Sequence, residues 1–158
     1  MITLLETLIE GAEGTYANNQ DLRKLEHLMA SWSERKDVYL LVQAKETVII
    51  DRAMVLLHEN QASIGHKPIA KSLIDLCRRD ITLALRYYAL GMLLQDKEML
   101  KDRFIYWQKN VIQAMHLHDF QGVKFVFKAI SEELSKEQAS LLQPYFELGQ
   151  SMIMTDLN

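Results

Sequence analysis

Only six glycines and two prolines interrupt 158 residues, so there are few places where a helix must stop. This scarcity constrains the fold more than any other property of the chain. The remaining positions are rich in Leu, Met, Ala, Glu, Lys and Gln, all good helix formers. With 49% apolar residues the chain is long enough to build one real core, and the expectation is an all-α domain spanning 1–158 with long helices and short loops.

Apolar spacing places the helices. Leu4, Leu5, Leu8 and Ile9 form a short amphipathic lead within residues 1–15 that halts at Gly11-Ala12-Glu13-Gly14 and looks appended to the main body. Leu22, Leu25, Leu28 and Met29 mark a second helix, which breaks at Ser31-Trp32-Ser33, with Glu34 as the capping-box partner of Ser31. A longer helix is expected from about Glu34 to Glu59, followed by a loop from Asn60 to Pro68. Pro68 suits the first turn of a central rod that runs through Cys77 to about Leu94. Further helices are read at Lys97–Leu117, at Asp119–Leu134 with Asp119 as N-cap, and at Ser135–Met152 with Pro144 near its first turns. No fixed-period repeat or linker is found. Helices of unequal length with a long one through the middle suit a globin-like bundle better than an up-down bundle.

Composition excludes several functions. A net charge of −3 and a pI near 5.9 give no attraction for nucleic acid or an anionic membrane face. A single cysteine forms no internal disulfide, the N-terminus lacks a signal-peptide pattern, and no apolar run approaches the roughly 20 residues of a membrane span, so a cytoplasmic protein is expected. There is no phosphate-binding or dinucleotide glycine loop, no zinc quartet and no nucleophile elbow. Nothing places a histidine beside Cys77, so an enzyme is not expected. His116 and His118, two residues apart, diverge on a helix and suit a solvated end better than a metal. His116 is the nominee for a haem ligand if the chain were a haem globin.

The chemistry-bearing stretch is Cys77-Arg78-Arg79-Asp80, with Arg86 beyond it. At 100° per residue Cys77, Asp80, Ala84 and Tyr88 share one helix side, whereas Arg79 and Arg86 fall nearly opposite. No small ligand meets all of them, but a long acidic one lying across the helix would, because guanidinium forks reach several ångströms and bind carboxylates. The plainer reading is a core cysteine beside a surface Arg–Asp pair.

Cys77, Arg79, Asp80 and Arg86, followed by Gly91 and Asp96 and then Leu100, Asp102 and Arg103, resemble the chromophore-helix pattern of the phycobiliprotein family, the allophycocyanin and phycocyanin type. Ala12-Glu13, Tyr16, Leu22 and Leu25, with Ile49, Ala53 and Leu57, extend the resemblance from about residue 12 to 134. It implies a globin-like bundle whose N-terminal helical extension pairs subunits. It also implies a bound linear tetrapyrrole, a phycocyanobilin-like bilin. Cys77 would form a thioether to it, Asp80 would accept from its inner N–H groups, Arg79 and Arg86 would meet its propionates, and Tyr88 would complete the site.

The implied partners are a second copy or a related subunit, phycobilisome proteins or bilin-biosynthesis proteins, at a site peripheral to the thylakoid. The chain departs from the family pattern in three places. Leu83-Ala84 replaces the usual tyrosine pair, the loop before Cys77 is short, and Trp107 and His116 stand where small glycines are usual. These changes resemble an offshoot of the family that handles bilin outside the abundant antenna. They also leave open a chromophore-free adaptor that contacts partners through its N-terminal helix and the surroundings of Trp32 or Trp107.

Overall fold

The computed structural model describes residues 1–63, 71–115 and 121–154, and every regular element among them is helical. The helices are α1 (Ile2–Gly11), α2 (Asn19–Ala30), α3 (Trp32–Ala44), α4 (Glu46–Ser63), α5 (Lys71–Leu94) and α6 (Lys97–Leu100). A π-helical turn (Lys101–Ile105) leads into α7 (Tyr106–Ala114), and α8 (Gly122–Glu133) and α9 (Lys136–Met154) follow. Pro68, the proposed cap Asp119 and the histidines His66, His116 and His118 lie outside the described residues.

The central helix α5 packs against α3, α4, α6, α8 and α9. Its buried residues Ile81, Ala84, Leu85, Tyr88, Ala89 and Met92 recur at i, i+3, i+4, i+7, i+8 and i+11, a single stripe facing the core. Against it lie Ile49 and Ala53 of α4, Val126 and Ile130 of α8, and Leu142 and Phe146 of α9, all essentially inaccessible. Each large apolar side chain so buried contributes about 1.5–3 kcal/mol. α9 crosses closely enough that a Cβ at Gly149 would overlap the Tyr88 hydroxyl, so this position requires glycine.

Several boundaries differ from the sequence reading. The helix expected from Glu34 to Glu59 is two: Lys45 leaves α-geometry at φ −99, ψ 7, and its Nζ donates to the Glu133 carbonyl (2.7 Å) and to Glu133 Oε2 (3.0 Å). This cation meets the C-terminus of α8, where the helix dipole favours it. The loop expected from Asn60 does not begin there, because α4 continues to Ser63; the rest of that expected loop lies outside the described residues. The Ser31–Glu34 capping box does not form. Ser31 makes no side-chain cap bond, and its Oγ instead accepts from Arg35 Nε and Gln95 Nε2, each at 3.2 Å. Pro144 lies well inside α9 rather than in its first turns.

The end of α5 positions everything after it. Gln95 adopts φ 47, the left-handed conformation of a Schellman motif, with Asp96 N–H donating to the Gly91 carbonyl and Gln95 N–H to the Met92 carbonyl, both at 3.1 Å. Asp96 then caps α6 through Met99 N–H (2.9 Å) and also accepts from Thr3 N–H (2.9 Å), Thr3 Oγ1 (2.8 Å) and the Met1 amine (3.1 Å). The N-terminal helix is therefore docked on the body by a buried carboxylate, with the Met1 amine donating also to the Leu94 carbonyl. Burial opposes ionisation of Asp96, but the donors from Met99, Thr3 and Met1 outweigh it and hold its pKa at about 2.

Among the described residues Arg35 is the other buried charge, 1% exposed. Its guanidinium donates to the carbonyls of Leu28, near the end of α2, and Leu93, near the end of α5. One cation thus satisfies the orphan carbonyls of two helix ends.

Candidate functional site

Cys77 and Asp80, three residues apart on α5, lie on one wall of a cavity of about 150 Å³, joined there by Arg79, Ile81 and Ala84. The facing wall is Trp107, Gln108, Val111 and Ile112 of α7, with Gly122 and Val123 opening α8. The π-helical turn explains why α7 presents these residues. Tyr106 N–H donates to Lys101 five residues back, and the extra residue in the turn rotates the following helix relative to the preceding one.

Within this wall Trp107 is 41% exposed and rests on Phe104, with ring centroids 5.6 Å apart. Phe104 in turn stacks on Tyr87 at 4.8 Å. The bulk noted in the sequence at Trp107 thus forms the rim of the cavity without sealing it.

The sequence-predicted residues divide into two groups. Cys77, Arg79 and Asp80 come together. Arg79 leaves the helix nearly opposite Cys77 and about 100° from Asp80, and its side chain curls round to donate Nε and Nη2 to Asp80 Oδ1 at 3.0 and 2.9 Å. Cys77 is half-buried, and burial, with the Asp80 charge added, raises its thiol pKa above the ordinary value.

Arg86 and Tyr88 are not brought to this cavity. Arg86 forks onto Glu46 of α4, with Nε at 2.8 Å and Nη2 at 2.6 Å, and lines a separate groove with Tyr39 and Gln43. Tyr88 is wholly buried between Phe104 and Phe146 and donates to Gln108 Oε1 at 3.1 Å. Burial pushes its phenol far above the usual pKa, so the hydroxyl keeps its proton. No group of three or more metal-binding side chains is present among the described residues.

Of the α7 wall the sequence reading names Trp107 but not Gln108, Val111 or Ile112. The signal was there: Phe104, Gln108 and Ile112 recur at i, i+4 and i+8 and all are buried, so a polar residue stands at a core position.

The family model for phycobilisome proteins matches residues 10–152. The chain belongs to the phycobilisome protein family. Its fold is the all-α, globin-like one of that family.

Among its relatives, the C-phycocyanin beta chain of Porphyra purpurea is 24% identical over 107 residues, 66% of this chain and 62% of the relative. The chain therefore matches somewhat under two thirds of the length of such relatives. The C-phycocyanin beta chain of Galdieria sulphuraria is 24% identical over 131 residues, covering 81% of this chain and 73% of the relative. The allophycocyanin subunit beta-18 of Aglaothamnion neglectum is 19% identical over 136 residues, 82% of this chain and 80% of the relative.

The donor set fits a bilin in kind. A thiol for an exocyclic double bond, a carboxylate for pyrrole N–H groups and a guanidinium for propionates lie around one apolar hollow. In size the enclosed part accommodates about one ring, since a cavity of roughly 150 Å³ holds a benzene.

Proposed function

We propose that this chain is a phycobiliprotein-like, non-catalytic carrier of a linear tetrapyrrole, with one end ring seated in the cavity beside Cys77 and the rest of the pigment lying along the open face of α5. The observation that carries this reading is the convergence of Cys77, Arg79 and Asp80 on one apolar cavity. Asp80 accepts from pigment N–H groups, and Arg79, 68% exposed in its side chain, swings from Asp80 to a propionate. Cys77 forms a thioether when its S–H adds across an exocyclic double bond of the end ring: the sulfur bonds one carbon and the proton goes to the other. The pigment supplies visible absorption.

The N-terminal face is the proposed partner surface. No residue of α1 is fully buried, and Ile2, Leu5 and Ile9, with Leu22 and Met29 of α2, expose apolar side chains. A second copy or a related phycobilisome subunit would cover them. No described helix is long and apolar enough to cross a membrane, so association with the thylakoid surface would run through phycobilisome components.

Coexpression with a bilin-producing pathway tests the carrier role. A zinc-fluorescent band on a denaturing gel, lost in Cys77→Ala, is the expected outcome. A colourless protein that instead retains phycobilisome or bilin-biosynthesis proteins would establish the chromophore-free adaptor, the reading favoured by the one-ring size of the cavity and by Trp107 on its rim.

A further inference from the structure

The cavity wall carries one polar group that the grouping of Cys77, Arg79 and Asp80 leaves unexplained. Gln108, in the first turn of α7, is 7% exposed and lines the hollow. Its Oε1 accepts the Tyr88 hydroxyl at 3.1 Å. Tyr88 is itself immobilised: Phe146 stacks on it at 4.4 Å, Phe104 meets it edge-on at 5.9 Å, and Gly149 admits its hydroxyl without room to spare. With the oxygen end of the amide held from behind, the N–H₂ end is turned away from Tyr88. Among the described residues no acceptor engages it. No buried side-chain polar atom among the described residues is left without a partner, so this N–H₂ end is not sealed in the core: it opens on the hollow that Gln108 lines, where a ligand acceptor can take it up.

We propose that Gln108 is a ligand-selecting residue whose amide donates to the carbonyl of the pigment's end ring, with Tyr88 as the positioning residue that orients the amide. The inference rests on the tetrapyrrole reading and deepens it. In an open-chain tetrapyrrole only the two end rings are lactams, each with a carbonyl beside its N–H, whereas the inner rings offer nitrogen and propionates. A one-ring hollow with a fixed donor at its wall therefore selects an end ring and sets its rotation. Tyr88, expected from the sequence to contact the pigment, acts through Gln108. Its buried hydroxyl stays protonated and so remains a donor, holding the amide in one orientation across the physiological pH range.

The test titrates the full chain with biliverdin and follows absorbance, together with the infrared stretch of the lactam carbonyl. Gln108→Met, of similar length and without donors, is expected to bind about five- to tenfold more weakly, the equivalent of one hydrogen bond. Its carbonyl band should move to the position of an unbonded lactam. Tyr88→Phe should broaden that band and weaken binding less. Unchanged affinity and carbonyl frequency in Gln108→Met would overturn the assignment while leaving the carrier reading intact. A native chain that takes up no biliverdin would overturn both. Should Gln108→Met fail to fold, as judged by helical circular dichroism, Gln108→Asn withdraws the donor by one methylene, and the same two readouts decide.

Discussion

Arg79 gives both Nε and Nη2 to a single oxygen of Asp80, at 3.0 and 2.9 Å, so the carboxylate that faces the cavity carries its own counterion. The pair is partly exposed, with side-chain accessibilities of 68% and 28%, and ion pairs in that setting contribute about 0–1 kcal/mol. Asp80→Asn should therefore leave thermal stability nearly unchanged while weakening biliverdin binding about tenfold or more, because a charge-assisted acceptor is lost. Parallel melting and absorbance titrations check this. A large drop in melting temperature with unaltered binding would make the pair purely structural.

Reactivity at Cys77 should report the same neighbourhood. Burial and the Asp80 charge raise its thiol pKa, so little thiolate exists at neutral pH and attachment of a pigment needs help from a base or a lyase. Iodoacetamide should alkylate Cys77 more slowly than a free cysteine at pH 8, and the rate should still be climbing where the free thiol has levelled off. Asp80→Asn should speed it up.

The docking of α1 should depend on acid in one direction only. The carboxyl of Asp96 titrates at about 2 in the folded chain against 3.8 for its ordinary value. Its contribution is thus fully present above about pH 4 and is lost as pH falls through 2, amounting to roughly 2 kcal/mol. Urea unfolding of the native chain should weaken over that window, and Asp96→Asn should be less stable at neutral pH but lose less on acidification. Thr3→Val, which removes the 2.8 Å donor, should raise the pH at which the loss begins.

Arg35, buried at the junction of two helix ends, should be sensitive to replacement. Replacing it with Met strands the Leu28 and Leu93 carbonyls in a buried place, at a cost of about 2–4 kcal/mol. Denaturant unfolding measures this, and a change below 0.5 kcal/mol would mean that water reaches those carbonyls.

How much of this was legible follows from the geometry of one helix. Cys77 and Asp80 line the same cavity, as residues three apart on one helix face can. Tyr88 shares the same stripe, but eleven residues of helix span about 16 Å, far enough for the stripe to run from the cavity into the core, where Tyr88 is buried. Arg79 was drawn on the far side by the helical wheel, which ignores the reach of a long side chain. Arg86 went to Glu46, a partner on another helix that no local pattern reveals.

Gln108 and Arg35 share one lesson. Each stands where its helix repeats buried apolar residues, Arg35 with Val38 and Val42, and Gln108 with Phe104 and Ile112. A polar residue at a core position was readable, but its partner was not. The division of α3 from α4 at Lys45 has no glycine or proline to announce it, since it depends on a contact with Glu133, 88 residues away.

Intact mass and visible absorbance of the full chain, purified under denaturing conditions from a cell that makes bilins, test the carrier reading most directly. The expected result is a coloured protein heavier by one tetrapyrrole, with both signals absent from Cys77→Ala. A colourless chain of unmodified mass that also fails to shift the biliverdin spectrum on titration would contradict it.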